Sequence, residues 1–141
     1  MKIVEIITRP EFDVRYVTNP KPGQKFISND RPDAVKEIQS VLKREYTFPA
    51  GKPGRLLALG GEDILGGLNY DIDNDTMVIH HLGSLKPGIG TKLIKQVEEI
   101  ARKARLTKIM FFSYGGPENE LYKKLGYVET GLNDNQFEKT L

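Results

Sequence analysis

The stretch Leu82-Gly83-Ser84-Leu85-Lys86-Pro87-Gly88-Ile89-Gly90-Thr91-Lys92-Leu93-Ile94 decides how this chain is read. Upstream of it, Thr76–Leu82 is apolar on both sides apart from His80 and His81, which predicts a central strand covered on both faces. Downstream, Leu93, Ile94, Val97, Ile100, Ala101 and Ala104 recur at helical spacing. The period therefore switches from strand to helix across Gly88 and Gly90, residues that let a backbone turn tightly and approach a ligand closely. The N–H groups of Ile89, Gly90, Thr91 and Lys92 would fall in the first helical turn, where no intrahelical acceptor exists. The helix dipole favours negative charge at that spot, so a phosphate or pyrophosphate is the natural occupant. The other reading is a tight turn that uses glycine for packing alone.

Two nucleotide motifs fail here. A P-loop needs Lys and then Ser or Thr after its last glycine; Gly83 and Gly88 have the right spacing, but Ile89-Gly90 follows. A Rossmann fingerprint needs a third glycine three residues past the second, and Lys92-Leu93-Ile94 stand beyond the turn instead.

Working outward, Arg55–Gly60, Ile64–Ile72 and Thr76–Leu82 form a β-meander with turns at Gly61-Glu62-Asp63 and Asp73-Asn74-Asp75. Lys2–Thr8 reads as a strand, and Phe12, Val14 and Tyr16 alternate with Asp13 and Arg15 as a short second one. Asp30 is placed to cap a helix with Pro32 in its first turn and Val35, Ile38, Val41 and Leu42 as its stripe, ending near Phe48-Pro49. After the main helix, Ile109–Phe112 is a short buried strand. Pro117 opens a short helix that stops at Gly126, with acids first and Lys123 and Lys124 last. Tyr127–Thr130 and Gln136–Leu141 complete the set. The fold class is α/β (α+β): one domain over residues 1–141, with a mixed, mostly antiparallel sheet and helices on both faces.

Composition narrows the chemistry. The chain has 141 residues, 38% hydrophobic and 28% charged, which fits one domain with its own core. No cysteine is present, which excludes a disulfide framework, a cysteine-based zinc site and a thiol nucleophile. The two histidines are adjacent, so a histidine metal cage is not expected, and no metal is assigned. No apolar run approaches a membrane span and no signal-peptide core is visible, so a soluble, cytoplasmic protein is expected without a membrane partner. The net charge is only +2, but seven bases against Glu98 and Glu99 give Lys86–Lys108 a net of +5. That segment would attract a phosphorylated ligand or a nucleic-acid backbone, or be a solvated helix face. Nucleic acid ranks last among these, because no aromatic residues are interleaved with the bases.

Strand, glycine turn, amphipathic helix, buried strand and then Leu121-Tyr122-Lys123-Lys124-Leu125-Gly126-Tyr127 resemble the GNAT superfamily of N-acetyltransferases. The likeness rests on the acyl-CoA signature Arg/Gln-x-x-Gly-x-Gly/Ala and on a helix ending aromatic-Tyr-x-x-x-Gly-Phe/Tyr, and it covers Thr76–Leu141. The resemblance implies acetyl-CoA as co-substrate. Gly88, Ile89, Gly90 and Thr91 would offer N–H groups to its pyrophosphate, and Leu82, Gly83 and Ser84 would pair with its pantetheine arm. Ser113 would lie where the next strand splays away, and Asn119 near the thioester. Tyr122 falls on the tyrosine that protonates the departing thiolate in many members. Leu85 departs from the pattern at the usual Arg/Gln position, with Lys86 beside it as a substitute charge; Pro87 has no N–H, and Gly115 stands where Asn is common.

Acyl transfer to an amine needs a base, an oxyanion donor and an acid. His80 and His81 are the candidate bases; strand alternation allows only one of them to face the cleft, and His80 is favoured. Backbone N–H groups at the end of the same strand would serve the oxyanion. The other reading is two packed, hydrogen-bonded histidines. Asp71, Asp73 and Asp75 would attract a cationic amine or be a solvated turn, and the Gly and Glu of a calcium loop do not follow them. The leading expectation is direct transfer of an acetyl group to a small-molecule or protein amine. The rival is a non-catalytic module of the same fold that holds CoA, another phosphate ligand or a protein partner. Both leave a homodimer open.

Overall fold

The computed structural model describes residues 14–43, 54–113, 118–130 and 135–141. Its centre is the meander: β3 (Gly54–Gly60), β4 (Asp63–Asp73) and β5 (Thr76–Ser84), joined by two-residue turns. Gly61 and Asn74 take positive φ, 60° and 56°, as tight hairpin turns of this hand require. Around them lie β1 (Val14–Val17), β2 (Lys25–Phe26), β6 (Lys108–Phe112), β7 (Val128–Glu129) and β8 (Gln136–Thr140). The helices are α1 (Pro32–Lys43), α2 (Ile89–Lys103) and α3 (Glu118–Lys124). The sheet runs β1-β3-β4-β5-β6-β8-β7, antiparallel except where β5 meets β6, and β2 lies parallel to the start of β4. β2 was not foreseen. Lys25 and Phe26 pair with Asp63 and Ile64, and β5 takes over β4 only from Gly66.

Each face of the sheet buries one apolar stripe. On one side α2 inserts Leu93, Ile94, Val97 and Ala101, all at most 1% exposed, against Leu68, Met77, Ile79 and Ile109. Burying an aliphatic side chain of this size is worth about 2 kcal/mol. The same core ends in an aromatic cluster, Phe111 with Tyr122, Tyr127 and Phe137 at ring distances of 4.6, 5.1 and 5.8 Å. On the other side α1 presents Ile38 to Leu59, Ile64 and Leu85. It comes close to β5 because Gly83 has no side chain: a Cβ there would stand 2.5 Å from the Ala34 carbonyl oxygen.

Several boundaries differ from the sequence expectation. Arg31, not Asp30, holds the cap position of α1, and its carbonyl accepts the Val35 N–H at 3.0 Å. Pro32 is thus the first helical residue, where its missing N–H costs nothing. The strand expected at Tyr127–Thr130 shortens to Val128–Glu129, because Tyr127 turns into the core and hydrogen-bonds Glu98. On α2, Leu93, Ile94, Val97, Ile100 and Ala101 pack into the core as expected, while Ala104 is exposed just past the helix end and Glu98 is buried beside the stripe. The expected strand Lys2–Thr8, Phe12, the helix end near Phe48-Pro49, Gly115 and Pro117 all lie outside the described residues. Among the described residues no helix is long and apolar enough to cross a membrane, and no group of three or more potential metal ligands occurs.

Candidate active site

β5 and β6 run in parallel only as far as Ile79 and Phe111. Beyond that point β6 pairs with β8 through Phe112 and Gln136, while β5 stays with β4, so the two strands part. A small pocket of about 50 Å³ fills the gap, with Ile79, His80, Phe111, Ser113 and Tyr122 on its walls. A larger cleft of about 820 Å³ opens beside it between α1, the end of β5, the glycine turn and α3. Leu82, Ile94, Glu118 and Tyr122 line both.

The turn itself is built by sterics. Gly88 precedes α2 with φ 86°, a left-handed conformation that L side chains rarely adopt, and no atom lies within 4 Å of where a Cβ would stand. No side chain caps the helix. The Ile89 N–H donates to the Lys86 carbonyl at 3.2 Å, and the Lys92 N–H to the Gly88 carbonyl at 3.1 Å. Two of the four anticipated donors are therefore engaged inside the chain. Gly90 and Thr91 remain as cleft-lining first-turn residues without a backbone acceptor among the described residues. The Ser84 hydroxyl donates to the Lys86 carbonyl at 2.8 Å and braces the turn from the strand side.

Most of the residues singled out for cofactor binding share this cleft: Leu82, Gly83, Ser84, Lys86, Gly88, Gly90 and Thr91 line it. Ile89 does not, since its side chain is 3% exposed within the α2 core. Leu85, at the position where the family pattern has Arg or Gln, is 5% exposed in the α1 core, and its N–H donates to the Leu65 carbonyl at 2.8 Å. Ser113 borders the small pocket. Asn119 lines neither cavity: it accepts from the Ser113 hydroxyl at 2.6 Å and donates to Asn135 Oδ1 at 3.1 Å. Asn135, which no sequence pattern flagged, completes that corner with φ 63° and a carbonyl that accepts the Ser113 N–H at 2.7 Å.

The histidines sit on a β-bulge. Tyr70 faces Ile79 and Asn69 faces His81, so His80 is an extra residue with no opposite number. The alternation that was to separate the two rings is thereby suspended. His80 Nε2 lies 2.7 Å from Asp71 Oδ2, and His81 Nδ1 lies 2.8 Å from Glu37 Oε2 on α1. His80 borders the small pocket; Glu37 lines the large cleft. Asn69, fully buried, accepts the His81 N–H at 2.8 Å, while its Nδ2 has no partner among the described residues. The acidic triplet is divided, since Asp75 accepts from the Thr107 hydroxyl at 2.6 Å and that bond holds its carboxyl below the usual range. Tyr122 packs edge-on against Phe111, and burial together with the nearby Glu118 charge pushes its phenol up to about 12. Arg31, Lys36 and Glu37, which form the α1 wall, escaped the sequence reading. The only signal for Lys36 and Glu37 was their place on the polar side of the α1 stripe, and for Arg31 its place just before Pro32.

The chain thus joins an uncapped glycine turn at the start of its main helix to a sheet that parts after one short parallel pairing. Residues 25–127 match the family described as Acetyltransferase (GNAT) family, and the chain belongs to it. A Bacillus subtilis protein, YdhI, described as uncharacterized, is 35% identical over 81 residues, which is 55% of this chain and 51% of that protein. The chain thus spans about half the length of the curated relative it matches. Among solved structures, the PaiA N-acetyltransferase of Thermoplasma acidophilum in complex with coenzyme A is similar with TM-score 0.57 and 19% identity, over 77% of this chain and 68% of that one. An acetyltransferase from Bacillus cereus has TM-score 0.57 and 26% identity, over 78% of this chain and 87% of that one. A GNAT-family acetyltransferase from Staphylococcus aureus Mu50 has TM-score 0.62 and 13% identity, over 91% and 99%.

Proposed function

We propose that residues 1–141 act as one acyl-CoA-binding domain, in the cytoplasm, that moves an acetyl group from acetyl-CoA directly to a primary amine, of a small molecule or a protein. The observation that carries this is the meeting of the glycine-turn cleft with the β5–β6 gap on the shared wall of Leu82, Ile94 and Tyr122. The residues present fit the co-substrate: the Gly90 and Thr91 N–H groups and the α2 dipole suit its pyrophosphate, and Lys86 adds a cation where Leu85 turns away. Bound acetyl-CoA supplies a thioester carbonyl for the amine nitrogen to attack and a sulfur to leave.

The chain's own side chains move the protons. His80 takes one from the incoming ammonium, which frees the nitrogen lone pair. As the C–N bond forms and the C–S bond breaks, Tyr122 gives its hydroxyl proton to sulfur. It recovers one from the new amide nitrogen, so the ammonium loses two protons in all and the thiol gains one. A phenol at about 12 is a weaker acid than a thiol near the usual ~8.5, so the Tyr122 proton leaves only as the nitrogen's proton arrives.

The test is thiol release, which a colorimetric thiol reagent reads on a clean background because the protein has no cysteine. Amine-dependent release with a matching acetylated amine in the mass spectrum supports transfer. Saturable acetyl-CoA binding without release for any amine in a broad panel would instead establish a non-catalytic acyl-CoA module.

A further inference from the structure

We infer that Asp71 is a positioning residue for His80, fixing its ring so that Nδ1 is the basic nitrogen offered to the gap between β5 and β6. This rests on the acetyl-transfer reading for its chemistry, but on geometry for its placement. Leu68 and Tyr70 pack into the α2 core, so by strand alternation Asp71 lies on the opposite face of the sheet. The register sets Asp71 against Val78, two residues before His80, a diagonal that an ordinary ladder leaves some 7–8 Å wide at Cα. The bulge closes it, and His80 Nε2 stands 2.7 Å from Asp71 Oδ2.

A carboxylate only accepts, so Nε2 carries the hydrogen and Nδ1 keeps its lone pair. Both side chains are about one-third exposed, 37% and 31%, so a substrate reaches the pair without passing through the core. Tyr122 approaches the same pocket from the α2 side, packed into that core. Base and acid thus reach the gap from opposite faces of the sheet, so both can lie beside one thioester held between β5 and β6. Asp71 on β4 and Glu118 and Tyr122 on α3 are the titratable groups around His80; β6 contributes Phe111, Phe112 and then Ser113. His81 is engaged differently, its Nδ1 on Glu37 of α1 and its N–H on Asn69.

The experiment pairs kinetics with imidazole nitrogen NMR on the full chain. With only two histidines, a His81→Gln variant assigns the His80 ring directly. The neutral His80 ring is expected with its hydrogen on Nε2, and Asp71→Ala is expected to release it into a mixture of tautomers. Asp71→Ala should lower kcat about tenfold or more with the acetyl-CoA KM within about twofold. In a His80→Gln background the same change should cost nothing further. A wild-type ring already in mixed tautomers, or losses that multiply in the double variant, would overturn the assignment. Should the wild type release no thiol with any amine, the acetyl-transfer reading fails, while the ring tautomer still decides whether Asp71 holds His80.

Discussion

Tyr122 is one residue whose surroundings in the fold change its chemistry. Burial and the Glu118 charge keep the phenol protonated far above neutrality. Tyr122→Phe should lower kcat about 100-fold while leaving the acetyl-CoA dissociation constant unchanged, measured by thiol release and by calorimetry. The same shift reads out in stability. Below about pH 10 both folded and unfolded states keep the proton, so the contribution is intact; between 10 and 12 the unfolded chain ionises first and stability falls. Urea midpoints should therefore drop less steeply over that range in the phenylalanine variant. Glu98 is a second such residue. Its buried carboxylate accepts from Tyr127 at 2.9 Å and from Lys139 at 3.1 Å. Lys139→Met removes the nearer of two cations from a carboxylate that stays buried, with Arg102 remaining at 3.8 Å, and should cost about 2 kcal/mol by urea unfolding. Neither partner was legible in the sequence, because they stand 29 and 41 residues from Glu98, and a glutamate on a basic helix reads as solvated. Tyr122 was legible because Leu121 and Gly126 bracket it locally.

At the scale of elements, the meander and α2 follow from local pattern. Alternation and helical spacing act over a few residues, and α2 begins one residue after the glycine that the turn needs. What escaped depends on more than one element. The bulge at His80 shifts the phase of β5, so that Met77 and Ile79 face the α2 core while two odd-numbered residues beyond it, His81 and Gly83, face α1. No composition signal marks that extra residue. Leu85 likewise departs from the family pattern for a packing reason: it closes the α1 core with Ile38, Leu59 and Ile64. The turn itself yields a sharp expectation. Gly88→Ala meets open space, so any effect comes from forcing a side chain to φ 86°, which costs about 1–2 kcal/mol. The chain should relieve that strain by shifting the first turn of α2. Acetyl-CoA affinity should then fall with only a modest loss of thermal stability, whereas an unchanged affinity would detach the turn from ligand binding.

Across the whole molecule, the basic segment Lys86–Lys108 disperses. Arg102 meets Glu99 at 3.0 Å and Lys108 meets Glu138 at 3.2 Å, both away from the cleft, while Lys86 alone of the three lines it. The place of β8 between β6 and β7 and the α1 wall of the cleft arise from pairings distant in sequence, which is why neither was foreseen. That same distance makes ligand binding a global event: the cleft draws on α1, β5, α2 and α3, and α1 belongs to a different core from the two later helices. A ligand that spans it binds only when all four are in place, and therefore stabilises the folded state against unfolding as a unit. Acetyl-CoA at about a hundred times its dissociation constant should add roughly 2.7 kcal/mol. For a chain of this length that raises the melting midpoint by about 8 °C. ATP at the same concentration offers phosphates to the α2 N-terminus but lacks the pantetheine arm proposed to lie along Leu82–Ser84, so its shift should be far smaller. Equal shifts with both would reduce the site to an anion-binding turn, and no shift with either would leave the cleft without a role in acyl-CoA chemistry.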